Sequence, residues 1–160
     1  MKKQHFTTNY TVYEQMEELN PAIKHLMEVA VESREKAHAP YSNFLVGAAI
    51  RLANGEIVLG NNQENAAYPS GLCAERVAIY SAGALFPGVE INAIAISARS
   101  RLKEIDTPVG PCGACRQAIA EYEQQQPTAI PIYFMGNTGA VIHVDSLADL
   151  LPFGFDSNQL

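Results

Sequence analysis

The chain has 160 residues, 48% hydrophobic and 18% charged, a composition that supports one buried core and excludes wholesale disorder. Eleven Lys and Arg against seventeen Asp and Glu leave a formal net charge of −6 with no run of basic residues, the wrong sign for tracking polynucleotide phosphates. Three cysteines are too few for a disulfide framework, and no stretch approaches the roughly 20 apolar residues of a membrane span.

Lys2 and Lys3 are followed by Thr7, Thr8 and Asn9, where a signal peptide needs an apolar run, so the sequence reads as soluble and cytoplasmic. Residues 1–20 are expected to form an arm or an extra edge strand, with one domain over 21–160. Asn20-Pro21 offers an N-cap and first helical position. Ile23, Leu26, Met27, Ala30 and Val31 then recur at helical spacing, predicting an amphipathic helix to about His38, where Ala39-Pro40-Tyr41-Ser42 breaks it. Residues 44–52 and 56–59 read as strands joined at Asn54-Gly55, a dipeptide that tolerates a type I′ turn. Tyr68-Pro69-Ser70-Gly71 punctuates the chain before an Ala-rich helix over 73–85. A buried strand over 91–98, a helix over 113–123 and a strand over 129–135 come next. A turn at 136–139, a strand over 141–144 and a short helix over 146–151 complete the order. This order predicts an α/β fold with a mixed sheet of about five strands and helices on both faces.

The cysteines are Cys73 and the pair in Pro111-Cys112-Gly113-Ala114-Cys115. A C-x-x-C pair can hold a metal, serve as a redox dithiol or occur by chance. A redox dithiol has no need of Cys73, and it ordinarily opens a helix near the start of a βαβ unit rather than past residue 110. All three cysteines fall at predicted helix starts, where free N–H groups favour thiolate, the species that binds zinc. Three ligands leave a fourth position for water, the catalytic arrangement, and His5, His25, His38 and His143 are scattered singly away from the cysteines. Glu75, two residues after Cys73, is an ordinary dipole partner for a helix start, yet beside a metal site it can reach the activated water as a proton shuttle. Three thiolates on a dication leave the centre at −1. Arg76 and Arg116, each directly after a cysteine, can withdraw that charge by donating to sulfur; the plain alternative is two solvated arginines.

Taken together, several pieces resemble the cytidine deaminases in their small three-cysteine form. They are Ala39-Pro40-Tyr41-Ser42-Asn43-Phe44 with Val46-Gly47-Ala48, residues 60–69 from Gly60-Asn61-Asn62-Gln63-Glu64 to Ala66-Ala67-Tyr68-Pro69, Cys73-Ala74-Glu75-Arg76, Pro111-Cys112-Gly113-Ala114-Cys115-Arg116-Gln117, and Leu150-Leu151-Pro152 with Phe155. The resemblance implies a three-layer deaminase fold and a zinc ion held by Cys73, Cys112 and Cys115. It also implies that Asn62 and Glu64 hold ribose hydroxyls, that the Ala66 backbone meets the base, and that Phe44 packs beside it. It further implies a homotetramer whose sites are shared between subunits, with Phe155 lying over a base in the next chain. Phe153 and Gly154 stand where the family carries small residues, which makes Phe153 a second candidate for that stacking role. The reaction implied is hydrolysis of cytidine and 2′-deoxycytidine to the uridines with release of ammonia, as in pyrimidine salvage. A deaminase of the blasticidin type and a zinc-stabilised module without turnover are the rival readings.

Overall fold

In a computed structural model describing residues 1–160, the sheet has six strands in the order β1-β6-β5-β4-β2-β3. These are β1 (Thr11–Tyr13), β2 (Phe44–Leu52), β3 (Ile57–Asn61), β4 (Ile91–Ser100), β5 (Ile132–Met135) and β6 (Val141–Val144), and the helices are α1 (Pro21–Arg34), α2 (Ala74–Leu85) and α3 (Gly113–Glu123). Only the β4–β5 pair is parallel, and the other neighbours are antiparallel, so the sheet is mixed. The sixth strand is β1, whose Thr11 pairs with His143 and whose Tyr13 pairs with Val141 at the sheet edge.

Helices cover both faces. On one, Leu26, Met27 and Ala30 of α1 pack on Ala49, Ala93 and Ala95. On the other, Ala78 and Ile79 of α2 and Ile119 of α3 pack on Ile50, Ile94 and Ile96. Along β4 the residues therefore alternate small toward α1 and large toward α2 and α3, while the strand as a whole reads as a continuous apolar run because both faces are covered. Two glycines set how closely the helices approach. A Cβ on Gly47 would lie 2.1 Å from the Ala30 carbonyl oxygen, and one on Gly60 would lie 2.2 Å from that of Ala74. The second contact seats the start of α2, and with it Cys73 and Glu75, directly on β3.

Asn20 caps α1 as the sequence predicts, its Oδ1 accepting from the Ile23 amide at 3.0 Å. The helix ends at Arg34 rather than near His38. His38 is instead drawn into an isolated bridge with Gln63, donating its amide to Asn62 O at 3.0 Å and accepting from the Glu64 amide at 2.9 Å. The β2–β3 turn also differs from the type I′ expectation. Gly55 alone has positive φ (+91°), its amide donates to Leu52 O at 3.0 Å, and Leu52 N donates to Glu56 O at 2.9 Å. This is a turn closed on Asn54 with a glycine bulge, the three-residue hairpin solution to the same sequence signal. The strand expected from 129 starts at Ile132, and the last helix is a single 3-10 turn over Leu147–Asp149 capped by Ser146. No helix is long and apolar enough to cross a membrane.

Candidate metal and catalytic site

Cys73 is the N-cap residue of α2 and Cys112 that of α3, while Cys115 sits in the first turn of α3 with no exposed surface. Neither capping cysteine makes a side-chain cap bond, so both sulfurs are turned away from their own helix and toward each other. The three Sγ atoms all lie within 4.8 Å of one another, with Cys73–Cys112 at 3.8 Å and Cys112–Cys115 at 3.4 Å. Two sulfurs bound tetrahedrally to one zinc at about 2.3 Å stand about 3.8 Å apart, so the donor set fits that ion in both chemistry and span. Cys73, Cys112 and Cys115 form the one cluster of three or more potential metal-ligating side chains, and no histidine belongs to it. Three protein donors with one position left for another ligand is the pattern of catalytic rather than structural zinc.

The electrostatics of the trio suit a cation. Hydrogen bonding from the Cys115 thiol is the main influence holding the Cys73 thiol down to about 5, aided by Cys112 and Arg76 and opposed by burial. Cys115 is pushed in the other direction by that same bond to Cys73, by burial and by the Glu75 charge. The Cys73 and Cys115 thiols are thus coupled, the proton leaving Cys73 more readily than Cys115.

Glu75, in the first turn of α2, is only 5% exposed. Burial is the main cause that raises its pKa, and the Cys73 charge adds to this; its own backbone amide, the Cys115 thiol and Arg76 work against it. A buried carboxyl whose proton is favoured by burial and released against nearby donors is suited to take up and hand on a proton. The Arg76 guanidinium borders Cys73. Burial works to lower the Arg76 pKa, but the Cys73 thiolate, through a hydrogen bond and its charge, and Cys115 raise it overall. Its Nη2 donates to Gly71 O at 3.3 Å. Arg116 is engaged elsewhere. Its Nε donates to Pro111 O at 2.8 Å and its Nη1 to Leu150 O at 2.7 Å, tying the start of α3 to the Leu150-Leu151-Pro152 tail.

A cleft of ≈ 770 Å³ opens beside the cysteines, and Cys73, Cys112, Glu75 and Arg76 line it together with Phe44, Asn62 and Glu64. Asn62 Oδ1 accepts from Val46 N at 2.7 Å and its Nδ2 donates to Phe44 O at 2.9 Å, leaving one lone pair and one N–H for another partner. Glu64 accepts from the amides of Tyr41 (2.9 Å) and Ser42 (3.2 Å) and from the Ser42 hydroxyl. Partial burial works to raise its pKa, but these donors together hold the carboxylate below its ordinary value. Ala66 is exposed and outside the cleft lining. Phe155 and Phe153 are also outside it, 57% and 98% exposed, bordering a separate depression with Phe6 and Leu151. The sequence assigns no role to Tyr41 and Tyr68, whose rings meet at 5.8 Å on the cleft wall, or to Val109 and Gly110, which line the same cleft. Tyr41 and Tyr68 stand in the sequence within turn motifs and within the segments that carry the resemblance, with no role of their own.

The family model for the cytidine and deoxycytidylate deaminase zinc-binding region matches residues 21–129. A cytidine deaminase of Halalkalibacterium halodurans is 38% identical over 135 residues, covering 84% of this chain and 95% of its own length. One of Sporosarcina psychrophila is 38% identical over 139 residues, covering 86% and 94%. Among solved structures, the crystal structure of cytidine deaminase from Burkholderia pseudomallei superimposes with a TM-score of 0.71 at 43% identity, covering 82% of this chain and 97% of that one.

Proposed function

This chain belongs to the cytidine and deoxycytidylate deaminase family, and we propose that it hydrolyses cytidine and 2′-deoxycytidine to uridine and 2′-deoxyuridine, releasing ammonia. The observation that carries this reading is the buried Glu75 beside three sulfurs that lie within 4.8 Å of one another, on the wall of a cleft of ≈ 770 Å³. Zinc, when bound by Cys73, Cys112 and Cys115, supplies a Lewis acid that makes water nucleophilic near neutral pH.

The rest of the chemistry belongs to side chains. The Glu75 carboxylate takes a proton from the attacking water and delivers it to ring N3 as the oxygen adds at C4. It then moves the second proton from the new hydroxyl to the exocyclic nitrogen, which departs as ammonia. Water and cytidine are consumed, uridine and ammonia are formed, and Glu75 returns to its starting state. Arg76 offsets thiolate charge, and Arg116 serves the same centre by anchoring the helix that carries Cys115. Asn62 and Glu64 are read as the partners of the ribose hydroxyls, because each has hydrogen-bonding capacity to spare on the cleft wall. Phe44, on the cleft wall, packs beside the base; a contact from the Ala66 backbone rests on the resemblance alone, since Ala66 lies outside the cleft lining. Phe155 reaches a neighbouring subunit's cleft in a homotetramer, a reading supported by its exposure and its absence from the lining of its own cleft. Residues 1–20 form an edge arm on the 21–160 deaminase domain. A cytoplasmic setting suits three cysteines that must stay reduced.

Adding the purified protein to cytidine and following the ultraviolet spectrum together with ammonia release tests the proposal. Zinc-loaded protein that leaves cytidine and deoxycytidine intact would favour the non-catalytic module, and turnover confined to a blasticidin-like analogue would favour that rival.

A further inference from the structure

A second polar centre lies on the α1 side of the sheet, and its core is a buried arginine. Arg34, in the last turn of α1 and 5% exposed, donates from Nη1 to Ser97 Oγ at 2.7 Å and to Gly136 O at 3.4 Å. Its Nη2 donates to Asn137 Oδ1 at 2.7 Å, and its Nε pairs with Glu35 at 3.1 Å. Ser97 Oγ also donates to Gly136 O, at 3.0 Å. One guanidinium thus joins the end of α1, strand β4 and the β5–β6 turn. A buried guanidinium whose planar fork donates to several acceptors fixes geometry more tightly than an apolar contact of the same size.

That turn supports the loop which delivers two of the three cysteines. The amides of Asn137 and Thr138 both donate to Ile105 O, at 2.6 and 3.4 Å. The loop lies so close that a Cβ on Gly136 would come within 2.4 Å of Ile105 O, and one on Gly139 within 2.4 Å of Asp106 O. Three residues past Asp106 the same loop becomes the cleft wall at Val109 and Gly110, and it ends at Cys112, the cap of α3. We propose that Arg34 is a positioning residue for the metal site, acting through the β5–β6 turn on the 105–112 loop to set where Val109, Gly110 and Cys112 stand relative to Cys73. Arg34 does not line the cleft, so its influence runs through contacts and not through substrate.

The inference rests on the deaminase reading of the site, and the experiment separates the two. Wild-type protein, Arg34→Gln, Arg34→Lys and Asn137→Ala are prepared zinc-loaded, and zinc release into a chromophoric chelator is timed without substrate. KM and kcat per bound zinc are then measured with cytidine. Arg34→Gln should release zinc roughly 3- to 10-fold faster, less than the about 10–100-fold typical of groups bonded directly to ligands, with KM raised and Arg34→Lys intermediate. Asn137→Ala removes one acceptor at a half-buried surface position and should move both readouts in the same direction, which keeps the test open if Arg34→Gln does not fold. A purely structural role lowers the melting temperature but leaves zinc release and KM per bound zinc at wild-type values. That result in whichever of Arg34→Gln and Asn137→Ala folds overturns the inference. Wild-type protein that holds zinc but never acts on cytidine defeats the deaminase reading, while the zinc-release comparison still decides the positioning role.

Discussion

Cys73 and Cys112 are 39 residues apart in the chain, cap two different helices, and bring their sulfurs to 3.8 Å. Each occupies a position where Ser, Thr, Asp or Asn would satisfy a free helix N–H, and each forgoes that bond, a sacrifice of about 1 kcal/mol per helix. The two helix starts are thereby less well capped than they could be. In exchange, both positive helix ends point at the place where thiolates must gather.

One zinc per chain is expected by elemental analysis. Cys112→Ser and Cys115→Ser should each lose it, because a hydroxyl that stays protonated near neutral pH is a poor replacement for thiolate. Full zinc occupancy in both variants would remove the three-cysteine site.

Glu75→Gln preserves the shape of a 5% exposed side chain while ending proton transfer. Fold and zinc content should stay as in the wild type, and kcat should drop on the order of 10²- to 10⁴-fold, the usual contribution of a general acid–base group. Near-normal kcat in the zinc-loaded variant would reassign the proton relay.

Truncation after Pro152 removes Phe153 and Phe155 together. If stacking on a neighbour's base supplies about 1–3 kcal/mol, KM should rise roughly 5- to 150-fold with zinc content unchanged. Mixing tail-less chains with Glu75→Gln chains then tests crossing over. Once subunit exchange is verified, recovered activity at low substrate means that one chain's tail completes another chain's site. No recovery means that Phe155 serves its own chain or only packs, with Phe153 the next candidate. Restoring Phe153 and Phe155 one at a time assigns the stacking ring.

His143 lies in β6 with its ring stacked on Tyr133 at 4.3 Å and 6°, and burial holds its pKa below the ordinary value despite the nearby Asp145 carboxylate. Its Nε2 is 3.4 Å from Asp145 Oδ1 but lacks a hydrogen-bond partner, so the carboxylate only partly offsets the desolvation. Because the folded-state value is depressed, the unfolded chain binds the extra proton first. The contribution of His143 is therefore complete above about pH 6.5 and is lost as the pH falls through the folded-state value. Urea midpoints at pH 7.5 and 5.5 should fall less for His143→Phe than for the wild type. Equal losses in the two proteins would remove His143 as a source of acid sensitivity.

Elements whose signals are local were legible in the amino-acid sequence. Asn20-Pro21 marks the start of α1, helix α3 occupies the predicted 113–123, and β6 the predicted 141–144, since capping chemistry and apolar spacing act over a few residues. The sequence also determined the metal donors, because three cysteines at helix starts leave little choice of soft ligands. Tertiary structure alone decided what those donors meet. The end of α1 at Arg34 depends on His38 bridging to Gln63, and the glycine-bulge turn depends on how β2 and β3 join the sheet. Glu64 finds donors 22 and 23 residues away, and Arg34 finds Asn137 across 103. Contacts of that separation form only once the strand order is closed, because the entropy lost in bringing the ends together is offset by the whole packed sheet and not by the pair that meets.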